Sequence, residues 1–406
     1  MRGIEYLESL PQWRQGAFSQ IDVPRKILAA LGNPQDKIKT IHVAGTNGKG
    51  TTCAAIASIL KQAGRKTGFF SSPHLVDLTE RCRINGQAIS REKFDYYLSK
   101  VAEVVAWDTE AMTYFVATTA ACFLYFVEEK VDFAVIEVGL GGKFDATNLI
   151  AKPELTIITG VDFDHVDVLG PGILDIAENK AGIIKENVPV ILGEISEQLA
   201  KQVILEIAKE KKAEVFYLEE NSFFIDNELM RSVVGQHAAR IAIKAARILN
   251  LSEQSIESGL NNLYWPGRMD YFVLNSNKSV LIDGAHNVAG VKVLFSHLAE
   301  MLERKGIKQV SLLFGLKQRA GDEQTAEEVK RSIAELSKKG FLVNLHLVKW
   351  EQGLVNLNSF FDTDYEQELI PGLINSLAGP DGIVVVFGSL YLIGEVLSFF
   401  NKELVL

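Results

Sequence analysis

The segment VAGTNGKGTT at 43–52 limits the possible folds more than any other feature of the chain. Glycines 45, 48 and 50, a lysine and three threonines stand between a short β-branched run, KTIHV at 39–43, and a long helical pattern that begins CAAIASILKQAG. Glycine lets successive backbone N–H groups close around one anion, and a helix that starts there adds the positive end of its dipole. Lys49 adds a cation, and a threonine hydroxyl can reach a divalent metal. The spacing is not the strict Walker A pattern, because Gly50 separates Lys49 from Thr51. A strand, a phosphate loop and a helix in that order predict an α/β fold built on a parallel sheet.

The rest of the chain repeats this alternation. VDFAVI at 131–136, LTIIT at 155–159 and VPVIL at 188–192 predict buried strands, because apolar runs this short suit a sheet covered on both faces. Asn187 and Pro189 mark the turn into the last of these. At 265–270 WPGRMD breaks the pattern, a strand pair follows at 271–274 and 279–282, and strands recur near 309–314, 342–348 and 383–387. A chain of 406 residues exceeds what one core accommodates, so the boundary is set at Trp265, giving domains 1–264 and 265–406. Low-complexity tracts are absent, which predicts a tight hinge rather than a tether.

Acidic residues outnumber basic ones, 51 to 42, and the net charge of −9 argues against a broad nucleic-acid surface. The first residues lack a signal-like apolar core and no run reaches about 18 apolar residues, which predicts a cytoplasmic protein without a membrane segment. Cys53, Cys82 and Cys122 are too few and too scattered for a disulfide framework or a zinc site and read as packing residues.

Several other residues could carry chemistry. Glu137 ends a predicted strand ahead of a glycine-rich turn, at the carboxyl edge where open α/β sheets bind ligands, and a carboxylate there suits magnesium. His165 lies among Asp162, Asp164 and Asp167, any of which can orient its ring. Lys180 shares a helical pattern with Ile176, Ile183 and Ile184 and reads on its own as a solvated lysine. Arg268 offers a planar fork for phosphate oxygens, and Asp283 to Asn287 follow a strand.

In order, the chain carries IHVAGTNGKGT at 41–51, SSPHL at 71–75, ERCRING at 80–86, IEVGLGGKFDATN at 136–148 and DFDHVDVLG at 162–170. It continues with IAENKAGIIK at 176–185, WPGR at 265–268, DGAHN at 283–287 and FGSLYLIGEV at 387–396. This series resembles the folylpolyglutamate/dihydrofolate synthases of the Mur ligase group. The resemblance implies an ATP-binding central domain, a smaller Rossmann-like C-terminal glutamate-ligase domain, and a monomer. It also implies a reaction: ATP activates a pterin or folate carboxylate as an acyl phosphate, which the amine of L-glutamate then attacks.

Residue by residue, the resemblance assigns ATP to Gly45, Thr46, Asn47, Gly48, Lys49, Gly50, Thr51, Arg268 and Asp283. One magnesium ion falls to Ser72, Glu137 and His165, and a second to Lys180, carbamylated by carbon dioxide. Lys185 is the competing lysine. Lys49, Lys180 and His286 are implied at the reacting groups, and Ser389 at the incoming substrate. The pterin pocket is implied at a loop near Asp22 to Arg25, at Phe115, and at Asp145 and Ala146.

The chain departs from the family pattern at Val116, where an acid is common, at Ala238 and Ile241, in a motif associated with adenine, and at Val288, in place of proline. Asn179 stands before the lysine where the family has Glu. Two alternatives therefore stay open: a related Mur-type ligase joining a different acid and amino acid, and a degenerate paralogue that only binds or hydrolyses ATP.

Overall fold

A computed structural model describes residues 3–11, 21–105, 112–219, 225, 227–274, 279–316, 322–348, 365–366 and 382–400. Its contacts divide the chain into two compact units, Met1–Asn227 with Val234–Tyr264 and Leu404–Leu406, and Glu228–Val233 with Trp265–Glu403.

The first unit is built on eight strands: β1 Thr40–Ala44, β2 Thr67–Phe70, β3 Cys82–Ile84, β4 Gln87–Ala88, β5 Phe133–Glu137, β6 Leu155–Ile158, β7 Val190–Leu192 and β8 Val215–Tyr217. Their order is β4-β3-β2-β5-β1-β6-β7-β8. The six strands from β2 to β8 are parallel, and β3 and β4 add an antiparallel edge. The sheet is thus mixed where the alternation predicted a parallel one. The edge hairpin turns at Asn85-Gly86, both with positive φ, inside a segment too short and polar to announce strands.

Every residue of β1 is buried, as expected for a strand between β5 and β6 under helices on both faces. The alanine-rich helix Lys49–Gln62 follows it, with Gly48 in the left-handed region at the N-cap. Small residues let neighbours approach closely: Ser58 Oγ donates to the Gly259 carbonyl at 2.7 Å where the helix Glu253–Asn261 crosses. Tyr114–Glu128 is apolar nearly all round and supplies Ala117, Ala121, Phe123 and Phe126 to a core shared with Phe70 and Ile136.

The expected loop at Asp22–Arg25 is instead the first turn of a helix, Asp22–Ala30. An acidic residue and Pro24 both suit a first turn, where a missing backbone N–H costs nothing. The helix carrying Lys180 ends at Ala181, so Ile183 and Ile184 lie in the turn beyond it rather than on its stripe. All three cysteines are buried and unbridged. Burial pushes the Cys53 and Cys82 thiols well up, which keeps them unreactive.

The second unit holds β9 Asp270–Val273, β10 Ser279–Asp283, β11 Gln309–Phe314, β12 Leu342–Val348, β13 Tyr365–Glu366 and β14 Gly382–Phe387, in the order β13-β12-β11-β14-β10-β9. All neighbours are parallel except β9 and β10. Among the described residues no helix is long and apolar enough to cross a membrane.

Candidate functional site

The phosphate loop is braced from the next strand. Thr46 N–H donates to the Gly160 carbonyl at 3.0 Å, and Thr159 Oγ1 donates to the Asn47 carbonyl at 2.7 Å. Thr46 Oγ1 accepts from Asp162 N–H at 3.0 Å and donates to its carbonyl at 3.1 Å. Gly45 has φ +149, and a Cβ there would lie 1.9 Å from Thr159 Oγ1, so only glycine fits. Lys49 Nζ donates to the carbonyls of Gly45 and Thr46 at 3.0 and 3.2 Å, which folds the ammonium into the mouth of the loop. These features make a cradle for a polyphosphate.

At the carboxyl end of β5, Glu137 is buried and accepts from Ser72 N–H at 3.2 Å. These two residues, remote in sequence, meet because β2 and β5 are parallel neighbours. His165 takes a left-handed backbone conformation at the start of the short helix Val166–Leu169. Its ring is half exposed, with Nε2 3.6 Å from Asp164. Among the described residues no group of three or more His, Cys, Asp or Glu side chains forms a metal cage. The donors present fit magnesium, which ordinarily takes one or two carboxylates and completes its shell with water and substrate phosphates.

Lys180 is 2% exposed, in contrast to the solvated lysine its local pattern suggests. The glycine-rich turn after β5 docks on its helix end, where Lys143 N–H donates to the Asn179 carbonyl at 2.8 Å. Burial first, and then the charge of Lys49, lower its pKa to about 7 against the opposing pull of Asp164. Lys49, Lys180 and Asp164 therefore share one electrostatic environment. Lys185 is also depressed, to about 8, first by burial and then by Lys211 and Arg25, but its Nζ donates to the Asn148 carbonyl at 3.0 Å. Of the two lysines, Lys180 is the more deeply buried and the more strongly depressed.

Phe115 lies against the backbone of Gly139, where a Cβ would fall 2.5 Å from its ring, and its centroid is 5.8 Å from that of Phe70. Asp145 is buried, accepts from Leu140 N–H at 2.9 Å and from Thr147 N–H at 2.9 Å, and caps the turn Ala146–Leu149. Burial raises its pKa and these hydrogen bonds oppose the rise. Its carboxylate thus organises the loop beside Phe115. Asp22 and Arg25, solvated and 3.8 Å apart, make only a surface pair. Ala238 and Ile241 are fully buried in the helix Val233–Ile248.

Sequence reasoning did not single out His237, which donates from Nε2 to the Thr159 carbonyl at 2.7 Å and so props the strand end that braces the phosphate loop. It opens the HAARI run at 237–241 that carries Ala238 and Ile241, but nothing in that run announces this contact.

In the second unit, the Arg268 guanidinium lies on the backbone of Gly284, where a Cβ would sit 1.6 Å from Nη1. Asp283 accepts from Met269 N–H at 2.9 Å and Ala285 N–H at 2.8 Å, and burial raises its pKa against the nearby Arg268. His286 Nδ1–H donates to the Gly284 carbonyl at 2.7 Å, which makes Nε2 the unprotonated nitrogen of the neutral ring. Ser389 is buried as the N-cap of Leu390–Phe399, and Val288 opens the helix Val288–Lys305.

Residues 43–260 match the Mur ligase middle domain. The dihydrofolate synthase/folylpolyglutamate synthase of Bacillus subtilis (strain 168) is 34% identical over 410 residues, covering 92% of this chain and 93% of its own length. The apo form of the Lacticaseibacillus casei folylpolyglutamate synthase superposes with a TM-score of 0.81 at 27% identity, over 98% of this chain and 99% of its own. A folylpolyglutamate synthase complex with AMPPCP and folate superposes with a TM-score of 0.78 at 26% identity, over 98% and 99%.

Proposed function

The chain belongs to the folylpolyglutamate synthase/dihydrofolate synthase family of Mur ligases, ATP-dependent enzymes that add glutamate to folate or dihydropteroate, and on that premise we propose how its own residues perform the reaction. The loop from Gly45 to Thr51 holds the ATP phosphates, with Lys49 exchanging its contacts to the Gly45 and Thr46 carbonyls for phosphate oxygens. Within the second unit, Arg268 suits phosphate oxygens, with Asp283 beside it, and His286 and Ser389 suit a polar substrate group. Phe115 and the loop around Asp145 and Ala146 face the pterin acid.

The substrate carboxylate attacks the γ-phosphorus, forming an acyl phosphate and releasing ADP. The amine of glutamate then adds to the acyl carbon, and phosphate leaves as the amide forms. Lys49 stabilises charge on the transferred group, and alignment of the two reactants supplies much of the remaining acceleration. Ser72, Glu137 and His165 would hold one magnesium and a carbamylated Lys180 a second; magnesium would supply charge neutralisation on the phosphoryl oxygens. In forming the carbamate, the neutral Lys180 amine would bond to the carbon of carbon dioxide and release one proton, turning a neutral amine into an anionic oxygen donor.

The observation that carries this reading is the braced phosphate loop with Lys49 folded into its mouth; Lys180, 2% exposed, is a buried lysine whose charged form burial and the charge of Lys49 both oppose. Steady-state ADP release with dihydropteroate and with tetrahydrofolate, each with and without glutamate, tests the reaction. Release that ignores both acids and glutamate contradicts it, whereas release that follows a different acid points to a sister ligase.

A further inference from the structure

Of the buried titratable groups given no role above, His42 has the most specific geometry. It lies on β1, three residues ahead of Gly45, and its ring is fully enclosed. Nε2 is 2.8 Å from Thr147 Oγ1, while Nδ1 has no partner. Thr147 Oγ1 is in turn 2.6 Å from Asp145 Oδ1.

The direction of this chain follows from counting protons. Asp145 Oδ1 also accepts from Thr147 N–H, and Oδ2 accepts from Leu140 N–H, so donors surround the carboxylate on both oxygens. The single hydroxyl proton of Thr147 therefore goes to Asp145, and its oxygen must accept from His42 Nε2–H. This fixes the ring as the Nε2–H tautomer with a bare Nδ1 in the core. Leaving that nitrogen unpaired is costly, and an aliphatic side chain would fill the space without the cost.

We infer that His42 and Thr147 are positioning residues that lock the loop 139–147, and with it the wall made by Phe115, to the strand that launches the phosphate loop. The turn at Gly139 against which Phe115 lies is the one Asp145 holds through Leu140 N–H. The His42–Thr147–Asp145 series thus ties the acid-binding side of the site to the phosphate side through three side chains. It sets the distance between the acid and the γ-phosphate. A misplacement of about 1 Å can cost about 100-fold in rate.

The kinetic arm of the test rests on the ligase reading; the spectroscopic arm does not. Nitrogen-15 NMR of histidine-labelled protein at neutral pH should find His42 with its proton on Nε2, and a proton on Nδ1 overturns the inference whatever the activity. His42→Leu should lower kcat about 10- to 100-fold while the AMPPCP dissociation constant changes less than about threefold. His42→Gln, which keeps a donor at the Nε2 position, should restore kcat to within about threefold of the parent. Thr147→Val and Thr147→Ser form the same contrast if His42→Leu does not fold. Wild-type kcat in His42→Leu and Thr147→Val, nucleotide affinity that falls as steeply as kcat, or failure of both conservative variants overturns the inference. A parent protein inactive on both folate acids would instead break the proposed function and leave the NMR result standing.

Discussion

The backbone N–H of Ser72 donates to Oε2 of Glu137 across 3.2 Å, joining the end of β2 to the end of β5 at the edge where the phosphate loop begins. A carboxylate oriented this way is prepared for a cation. Glu137→Gln keeps an oxygen for the Ser72 N–H but removes the charge, so the fold should persist. Turnover should fall about 100-fold, and the magnesium concentration for half-maximal rate should rise. Titrating ADP release against magnesium checks this; an unchanged magnesium curve removes Glu137 from the metal site.

Lys49→Ala deletes two hydrogen bonds to carbonyls of its own loop, worth about 1 kcal/mol each, which the unit should tolerate. Turnover should drop about 100-fold or more, since contacts to a transferring phosphoryl group act in the transition state. Circular dichroism beside single-turnover ADP formation separates the two effects. More than about a tenth of the parent rate would contradict the role given to Lys49.

Lys180→Ala should be nearly inactive and partly rescued by short carboxylic acids that fill the vacated space, whereas Lys185→Ala should show neither effect. Because the Lys180 amine titrates near 7 rather than 10.5, carbon dioxide should add at neutral pH. Carbon-13 NMR with labelled bicarbonate should give one carbamate signal, absent in Lys180→Ala. A signal that persists in that variant assigns the modification elsewhere.

The His42 ring is held neutral, its pKa lowered to about 3 first by burial and then by the charge of Lys185. The unfolded chain binds a proton near 6.5, so the unfolded state carries more protons between these values. Stability from this residue is complete above pH 6.5 and falls toward pH 3, at up to about 1.4 kcal/mol per unit. Urea midpoints measured from pH 7 to 4.5 should decline more steeply in the parent than in His42→Gln. Equal slopes would mean the ring protonates in the folded state.

Gly45→Ala should cost about 1–3 kcal/mol in stability, because φ +149 excludes an L side chain and the new methyl would collide with Thr159 Oγ1. Nucleotide binding should fall with it, since the same hydroxyl holds the Asn47 carbonyl. A thermal melt and AMPPCP titration together check both.

The phosphate loop, the strands β1, β5, β6, β7, β9, β10, β11, β12 and β14, and Glu137 at its strand end were legible in the sequence, because each depends on a short stretch of chain. Glycine spacing and β-branched runs act over a few residues, and the order of motifs carried the family. The edge hairpin and the helix at Asp22 were not legible, since short polar segments take their conformation from what they pair with or pack on. Least of all could the sequence tell that Lys180 is buried or that His42 reaches Thr147. A helix's own periodicity says which residues share a face, but the glycine-rich turn that packs on the end of the Lys180 helix arrives from the end of β5. The tertiary fold therefore decided the charge state of that lysine: burial and the charge of Lys49, neither encoded around position 180, lower its pKa to about 7.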